Sequence, residues 1–216
     1  KNNWQIGILT PTFCRITETL NKWRPITRND LLENNITGLD VIWICNPNPL
    51  DGQLLDKKAL QTILKKNTKT IFIIDETAIF FLDNWKSQSF LGDNKKNVLV
   101  ITSFSKLFGL SGLRAGFATG NTKLVKLLKA ESNTFPFTSI TEMFAESILK
   151  KMVFFDKIRK EIKKHKKELE KILSNNQNFL VRKSYTNCIF VRCKNSSNLH
   201  GTLLKNGILG LNLDQL

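Results

Sequence analysis

No apolar run in this sequence approaches the roughly 18 residues that a membrane-spanning helix needs, so a helical membrane anchor within it is excluded and a soluble protein is expected. Cysteine is sparse. Cys14, Cys45, Cys188 and Cys193 stand at spacings that match no zinc pattern, and two of them fall in apolar strand-like runs where a small buried thiol is the usual occupant. A metal centre is therefore not expected, and a reducing cytoplasm is. There is no signal-peptide pattern, no internal repeat and no linker of low complexity. The two histidines, His165 and His200, are read as exposed and apart from catalysis. The opening "KNNWQIGIL" reads as a strand already under way, and the methionines are Met143 and Met152, so the sequence is expected to begin inside a longer protein.

Acidic residues are the other shortage: 18 Asp and Glu stand against 33 Lys and Arg, a net charge of +15. Such an excess suits polyanion binding. Here, however, many of the lysines are scattered along helix faces among abundant Asn and Ile, the pattern of a biased composition, and nucleic acid is not expected as a partner. At 41% hydrophobic and 24% charged residues the chain has the make-up of an ordinary globular protein, long enough for one sizeable core or a large domain with part of a second.

Short apolar runs alternate with helical patterns. "WQIGIL" (4–9), "LDVIWIC" (39–45), "TIFIID" (70–75), "NVLVIT" (97–102) and "RAGFAT" (114–119) read as strands, and "DKKALQTILKK" (56–66) sets Ala59, Leu60, Ile63 and Leu64 on one helical face. Near-continuous apolar strands separated by amphipathic helices predict an α/β fold, a mostly parallel sheet sandwiched by helices. After Gly120 the pattern turns helical and culminates in 155–175, with Ile158, Ile162, Leu169, Ile172 and Leu173 on one side. A strand (187–193), a helix (198–207) and the segment "ILGLNLDQL" (208–216) follow. Two domains are expected: 1–154, and the start of a smaller α/β domain over 155–216.

In an open α/β sheet, ligands lie beyond the carboxyl ends of the strands. "NPNPLDG" (46–52), "DETA" (75–78) and "SFSK" (103–106) follow three successive strands in that position, and Arg114 stands eight residues after Lys106. A positioned lysine can form a Schiff base with a carbonyl. A pyridoxal phosphate cofactor also needs an anion at its ring nitrogen and hydroxyl and cationic donors for its phosphate. Asp75, Ser103, Ser105 and Arg114 supply those groups, with Lys106 as the attachment point. Glu76 points to the opposite face if the strand continues, and is not paired with Asp75.

These segments, with "PTF" (11–13), "IIDET" (73–77) and "SFSKLFGLSGLRAGF" (103–117), resemble the class I/II aminotransferases of the pyridoxal-phosphate fold type I. The likeness is to the branch that holds histidinol-phosphate aminotransferase and threonine-phosphate decarboxylase. The spacings agree: Asn48 and Asp75 are 27 residues apart, Asp75 and Lys106 31. The resemblance implies a large domain binding pyridoxal 5'-phosphate, with Lys106 attaching it and moving the substrate's α-proton. Asp75 would lie at its ring nitrogen, Arg114 with Ser103 or Ser105 at its phosphate, Asn48 at its 3-oxygen and Phe13 stacked on its ring. It further implies transamination between an amino acid or amino phosphate of the histidinol-phosphate type and a 2-oxo acid, a place in amino-acid biosynthesis, and a homodimer. The family's glycine-containing phosphate loop would precede Lys1 and its carboxylate-binding arginine would follow Leu216, so a piece of the family's chain is expected.

Two departures open alternatives. Ala78 stands where the family commonly has a tyrosine contacting the 3-oxygen, which favours a threonine-phosphate decarboxylase. Pro49 takes the place of the second asparagine of the usual "NPNNPTG", which makes Asn46 the fallback for Asn48. From another class, the chain would be an inactive homologue or a basic polyanion-binding module.

Overall fold

The computed structural model describes residues 3–132, 137–194 and 198–212. The elements in chain order are β1 (Ile6–Leu9), α1 (Cys14–Glu18), β2 (Arg24–Ile26), α2 (Arg28–Leu32), β3 (Val41–Cys45), α3 (Lys57–Lys66), β4 (Ile71–Asp75), α4 (Trp85–Gln88) and β5 (Val98–Ser103). There follow β6 (Gly116–Gly120), α5 (Thr122–Glu131), α6 (Ser139–Lys150), α7 (Met152–Ser174), β7 (Phe179–Arg182), β8 (Phe190–Cys193) and α8 (Leu199–Lys205). The first six strands form one sheet in the order β2-β1-β3-β4-β5-β6. Its first five strands are parallel and β6 runs antiparallel to β5. The expectation of a mostly parallel α/β sheet is borne out.

The apolar strands earn their places by burial on alternate residues. Ile42, Ile44, Phe72, Ile74, Val98 and Val100 share one face and pack under Leu60, Ile63 and Leu64 of α3. These three are the buried face of α3, which starts cleanly because the Asp56 carboxylate accepts the N–H groups of Lys58 and Ala59. On the opposite face Trp43, Ile71, Ile73 and Ile101 are half-buried. The short β2, missed in the sequence, contains Pro25; it survives at the sheet edge, where a residue without an N–H breaks no ladder.

A second cluster lies beyond the sheet's carboxyl edge. Ile79, Phe80, Leu82, Phe104, Leu107 and Phe108 pack with Ile148 of α6 and with Phe155, Ile158 and Ile162 of α7. Aromatic edges meet aromatic faces within it, Phe80 with Phe108 at 4.9 Å and Phe108 with Phe155 at 4.8 Å. The predicted apolar side of α7 thus divides: its first half is packed, while Leu169 and Ile172 are exposed. β8 falls inside the expected strand and pairs antiparallel with β7, which the sequence reading passed over. His200 is half-buried on α8 rather than exposed. Residues 213–216 of the expected closing segment lie outside the described residues. Among the described residues no helix is long and apolar enough to cross a membrane, and no cluster of His, Cys, Asp and Glu could hold a metal. All four cysteines are free thiols.

Candidate active site

The parallel register sets the strand ends side by side: Cys45 of β3 is level with Asp75 of β4, which is level with Ile101 of β5. The chain leaves β3 through "NPNPLDG", with Thr10–Pro11 and Asn46–Pro47 both cis. The amides of this loop hold its own backbone. Asn46 exchanges two hydrogen bonds with Leu55, Nδ2 donating to its oxygen at 3.0 Å and Oδ1 accepting from its nitrogen at 2.8 Å. Asn48 Nδ2 donates to the Pro11 oxygen at 2.6 Å and its Oδ1 accepts from Leu50 N at 2.8 Å. Both side chains are buried. Asn48 is therefore at the edge, with its second Nδ2 hydrogen as the remaining donor for a ligand.

Gly52 closes the loop with φ +66°, and a Cβ there would stand 2.4 Å from Ser184 Oγ. That approach lets Tyr185 N donate to the Gly52 oxygen at 2.7 Å, while Lys166 Nζ on α7 donates to the oxygens of Ser184 and Thr186. Residues 184–186 are thereby fastened against the site loop.

Asp75 is half-buried. Its Oδ1 accepts the Thr77 N–H at 2.9 Å and the Thr77 hydroxyl at 2.5 Å, whereas its Oδ2 has the Cys45 thiol at 3.9 Å. Burial raises the Asp75 pKa above the usual carboxylate range, opposed by the Thr77 donors and by the positive charge of Lys106. Beneath it Cys45, 3.6 Å from Thr12 Oγ1, is pushed up to about 12 by burial and then by the Asp75 charge. Glu76, one residue on, faces the core as its alternate position requires.

The stretch after β5 sorts its residues by polarity. Phe104, Leu107 and Phe108 are buried in the second cluster, and this anchors the loop while leaving Lys106 exposed and Ser103 and Ser105 half-buried between. Ser103 Oγ accepts the Ser105 N–H at 2.9 Å, which leaves its own hydrogen to donate. Gly116 permits β6 to lie against β5, since a Cβ there would meet the Thr102 oxygen at 2.4 Å. Arg114 is exposed in the left-handed region (φ 50°), with Nη1 donating to the Ser111 oxygen at 3.3 Å. Phe13 is 49% exposed at the start of α1, and Ala78 is buried at the head of the 3-10 turn Ile79–Phe81.

Lys106 also borders a groove of about 400 Å³ whose other walls are Phe81, Ile162, His165, Lys166, Leu169, Asn187 and Ile189. His165, set aside in the sequence, is exposed and flanked by Glu161 and Glu168, yet it shares this groove with Lys106.

The donor set suits a pyridoxal phosphate. A half-buried carboxylate whose second oxygen has only a weak thiol donor matches a protonated ring nitrogen, and serine hydroxyls with an exposed guanidinium match a phosphate. The family model "Aminotransferase class I and II" matches residues 26–209. The chain belongs to that family. Class I and II aminotransferases are pyridoxal-phosphate enzymes. The chain is 28% identical over 176 residues to the histidinol-phosphate aminotransferase of Caldanaerobacter subterraneus subsp. tengcongensis, covering 82% of this chain and 49% of that one. It thus spans about half the length of the curated relatives it matches. Its fold superposes on the histidinol-phosphate aminotransferase of Clostridium acetobutylicum with a TM-score of 0.86 at 25% identity, over 95% of this chain and 67% of the other. Two solved structures below 25% identity share the fold. They are L-threonine-O-3-phosphate decarboxylase from Porphyromonas gingivalis (TM-score 0.83, 24%, covering 95% and 66%) and the Sinorhizobium meliloti histidinol-phosphate aminotransferase in complex with pyridoxal-5'-phosphate (0.84, 16%, covering 99% and 64%).

Within this aminotransferase edge, Thr77, Cys45 and Thr12 were missed in the sequence. A hydroxyl two residues after an aspartate is a turn signal that could have exposed Thr77. Nothing local announces His165, on α7, or Asn187, in the segment before β8, as residues that share a groove with Lys106.

Proposed function

We propose that the chain is the cofactor-binding part of a pyridoxal-phosphate aminotransferase that moves an amino group between an amino acid or amino phosphate of the histidinol-phosphate type and a 2-oxo acid. The observation that carries this reading is the half-buried Asp75, whose Oδ2 has only the Cys45 thiol at 3.9 Å, within electrostatic reach of the exposed Lys106. When bound, the cofactor supplies an electron sink that lets a proton leave the substrate's α-carbon. Lys106 is the attachment group and, once released, the base that takes that proton and returns it. Asp75 Oδ2 accepts the ring N–H. Ser103, Ser105 and Arg114 hold the phosphate, the second Nδ2 hydrogen of Asn48 reaches the 3-oxygen, and Phe13 covers the ring. In this reading 1–154 is the cofactor domain and 155–216 the start of a smaller one. The protein works as a homodimer, and the free thiols support a cytoplasmic setting.

Ala78 favours a second reading. A buried methyl where a hydroxyl donor commonly stands gives the site less to hold the 3-oxygen, and threonine phosphate would then be decarboxylated. Release of carbon dioxide from threonine phosphate separates the two activities. The attachment itself is tested by reducing the cofactor-loaded protein with borohydride and mapping its peptides by mass. A phosphopyridoxyl group on Lys106, absent in Lys106→Ala, is expected. A folded wild type without it overturns the reading and leaves an inactive homologue.

A further inference from the structure

Three residues leave β4 in different ways. Asp75 faces the edge, Glu76 enters the core, and Thr77 turns back so that both its N–H and its hydroxyl meet Asp75 Oδ1, at 2.9 Å and 2.5 Å. The backbone N–H alone would close such a turn. The hydroxyl adds a second, charge-assisted bond to the same oxygen. With Oδ1 doubly occupied, the carboxylate cannot rotate about its χ2 without losing both donors, and the oxygen left over, Oδ2, has only a thiol at 3.9 Å. We infer that Thr77 is a positioning residue: its hydroxyl locks the Asp75 carboxylate so that Oδ2 alone is presented to the cofactor's ring N–H. This rests on the role proposed above for Asp75.

The charged and titratable groups facing Asp75 come from two neighbouring segments. Cys45 faces it from β3 and stays a neutral thiol, its pKa raised to about 12; Lys106, after β5, lowers the Asp75 pKa by its charge. Glu76 binds Ser89 and Phe90 on the other side. Burial raises the Asp75 pKa, and the Thr77 donors are the largest opposing influence. Deleting the hydroxyl therefore lets Asp75 keep its proton to a higher pH, and a protonated carboxyl no longer accepts the ring N–H.

The test is the dissociation constant of pyridoxal phosphate, titrated into cofactor-stripped protein from pH 5 to 9. Thr77→Val keeps the shape and the N–H but removes the hydroxyl; Thr77→Ser restores the hydroxyl. At pH 6 the valine variant is expected to bind about tenfold more weakly, with affinity falling away at a higher pH than in wild type and the serine variant within about twofold of wild type. The stripped proteins should melt within about 2 °C of one another, and Thr77→Ala replaces the valine variant if that one fails to fold. Wild-type affinity in the hydroxyl-free variant at every pH overturns the inference while leaving Asp75 and Lys106 in place. So does an equal loss in Thr77→Ser. A wild type that takes up no cofactor overturns the active-site reading and this inference together.

Discussion

At the end of β4 two adjacent carboxylates serve two regions of the molecule. Asp75 looks over the sheet's carboxyl edge, half-buried, with only the Cys45 thiol, at 3.9 Å, on its second oxygen. Glu76 lies wholly inside, 0% exposed, where its carboxylate accepts the Ser89 hydroxyl and, at 2.7 Å, the Phe90 N–H. The alternation of a strand separates them. Both are raised by burial, Glu76 to about 7. What differs is the strength of the donors: the core carboxylate has a hydroxyl and an N–H, one at each oxygen, and ties the 89–90 segment to the sheet, whereas the edge carboxylate has at Oδ2 only the weak thiol donor of Cys45 at 3.9 Å. The first arrangement is what a structural carboxylate needs; the second leaves the acceptor that the role proposed for Asp75 requires.

The comparison is broken most strongly by Glu76→Ala. It strands the Ser89 hydroxyl and the Phe90 N–H inside the core and opens a cavity, and at pH 5.5 it should lower the free energy of unfolding in urea by about 4 kcal/mol. Glu76→Gln keeps the size of the side chain and an acceptor for Phe90, and sharpens the contrast by pH. The Glu76 pKa is raised on folding, from the ordinary 4.5 to about 7, so its stabilising contribution is complete below about pH 4.5 and lost as pH climbs through 7. Between those limits wild type should lose about 3 kcal/mol relative to Glu76→Gln, read from denaturation curves at successive pH values. Asp75→Asn should have the smallest effect on folding. It leaves an acceptor for Thr77 and removes a buried charge, so stability at pH 7 is expected to stay within about 1 kcal/mol of wild type, while pyridoxal phosphate no longer survives gel filtration with the protein. A large loss of stability in Asp75→Asn would erase the distinction between the two carboxylates.

Much of this was legible in residue order. "VIWIC", "IFIID" and "VLVITS" are too short and too continuously apolar for anything but buried parallel strands, and the placing of Asp75 and Glu76 on opposite faces follows from the period of a strand. The apolar face of 56–66 marked α3. The short β2, with its proline, and β7, with its mixed pattern, carried too weak a signal. In the site, the spacing of Asp75, Lys106 and Arg114 along the chain pointed to one edge. The engagement of the Asn46 and Asn48 amides with backbone groups did not show, because Leu50, Leu55 and Pro11 become their partners only when the loop closes.

The sequence by itself determined the class of the fold and the list of groups at the sheet's edge, because periodicity and strand-end position are local properties that survive without knowledge of neighbours. Only the tertiary structure decided which oxygen of Asp75 is left with no more than a thiol donor and which backbone groups the Asn46 and Asn48 amides engage. It also decided that His165 and Lys166 of α7, with Asn187 from the segment before β8, line one groove with Lys106. The Cys45–Asp75 and Asn48–Pro11 contacts join residues 30 and 37 apart in the chain, and no local pattern encodes their geometry.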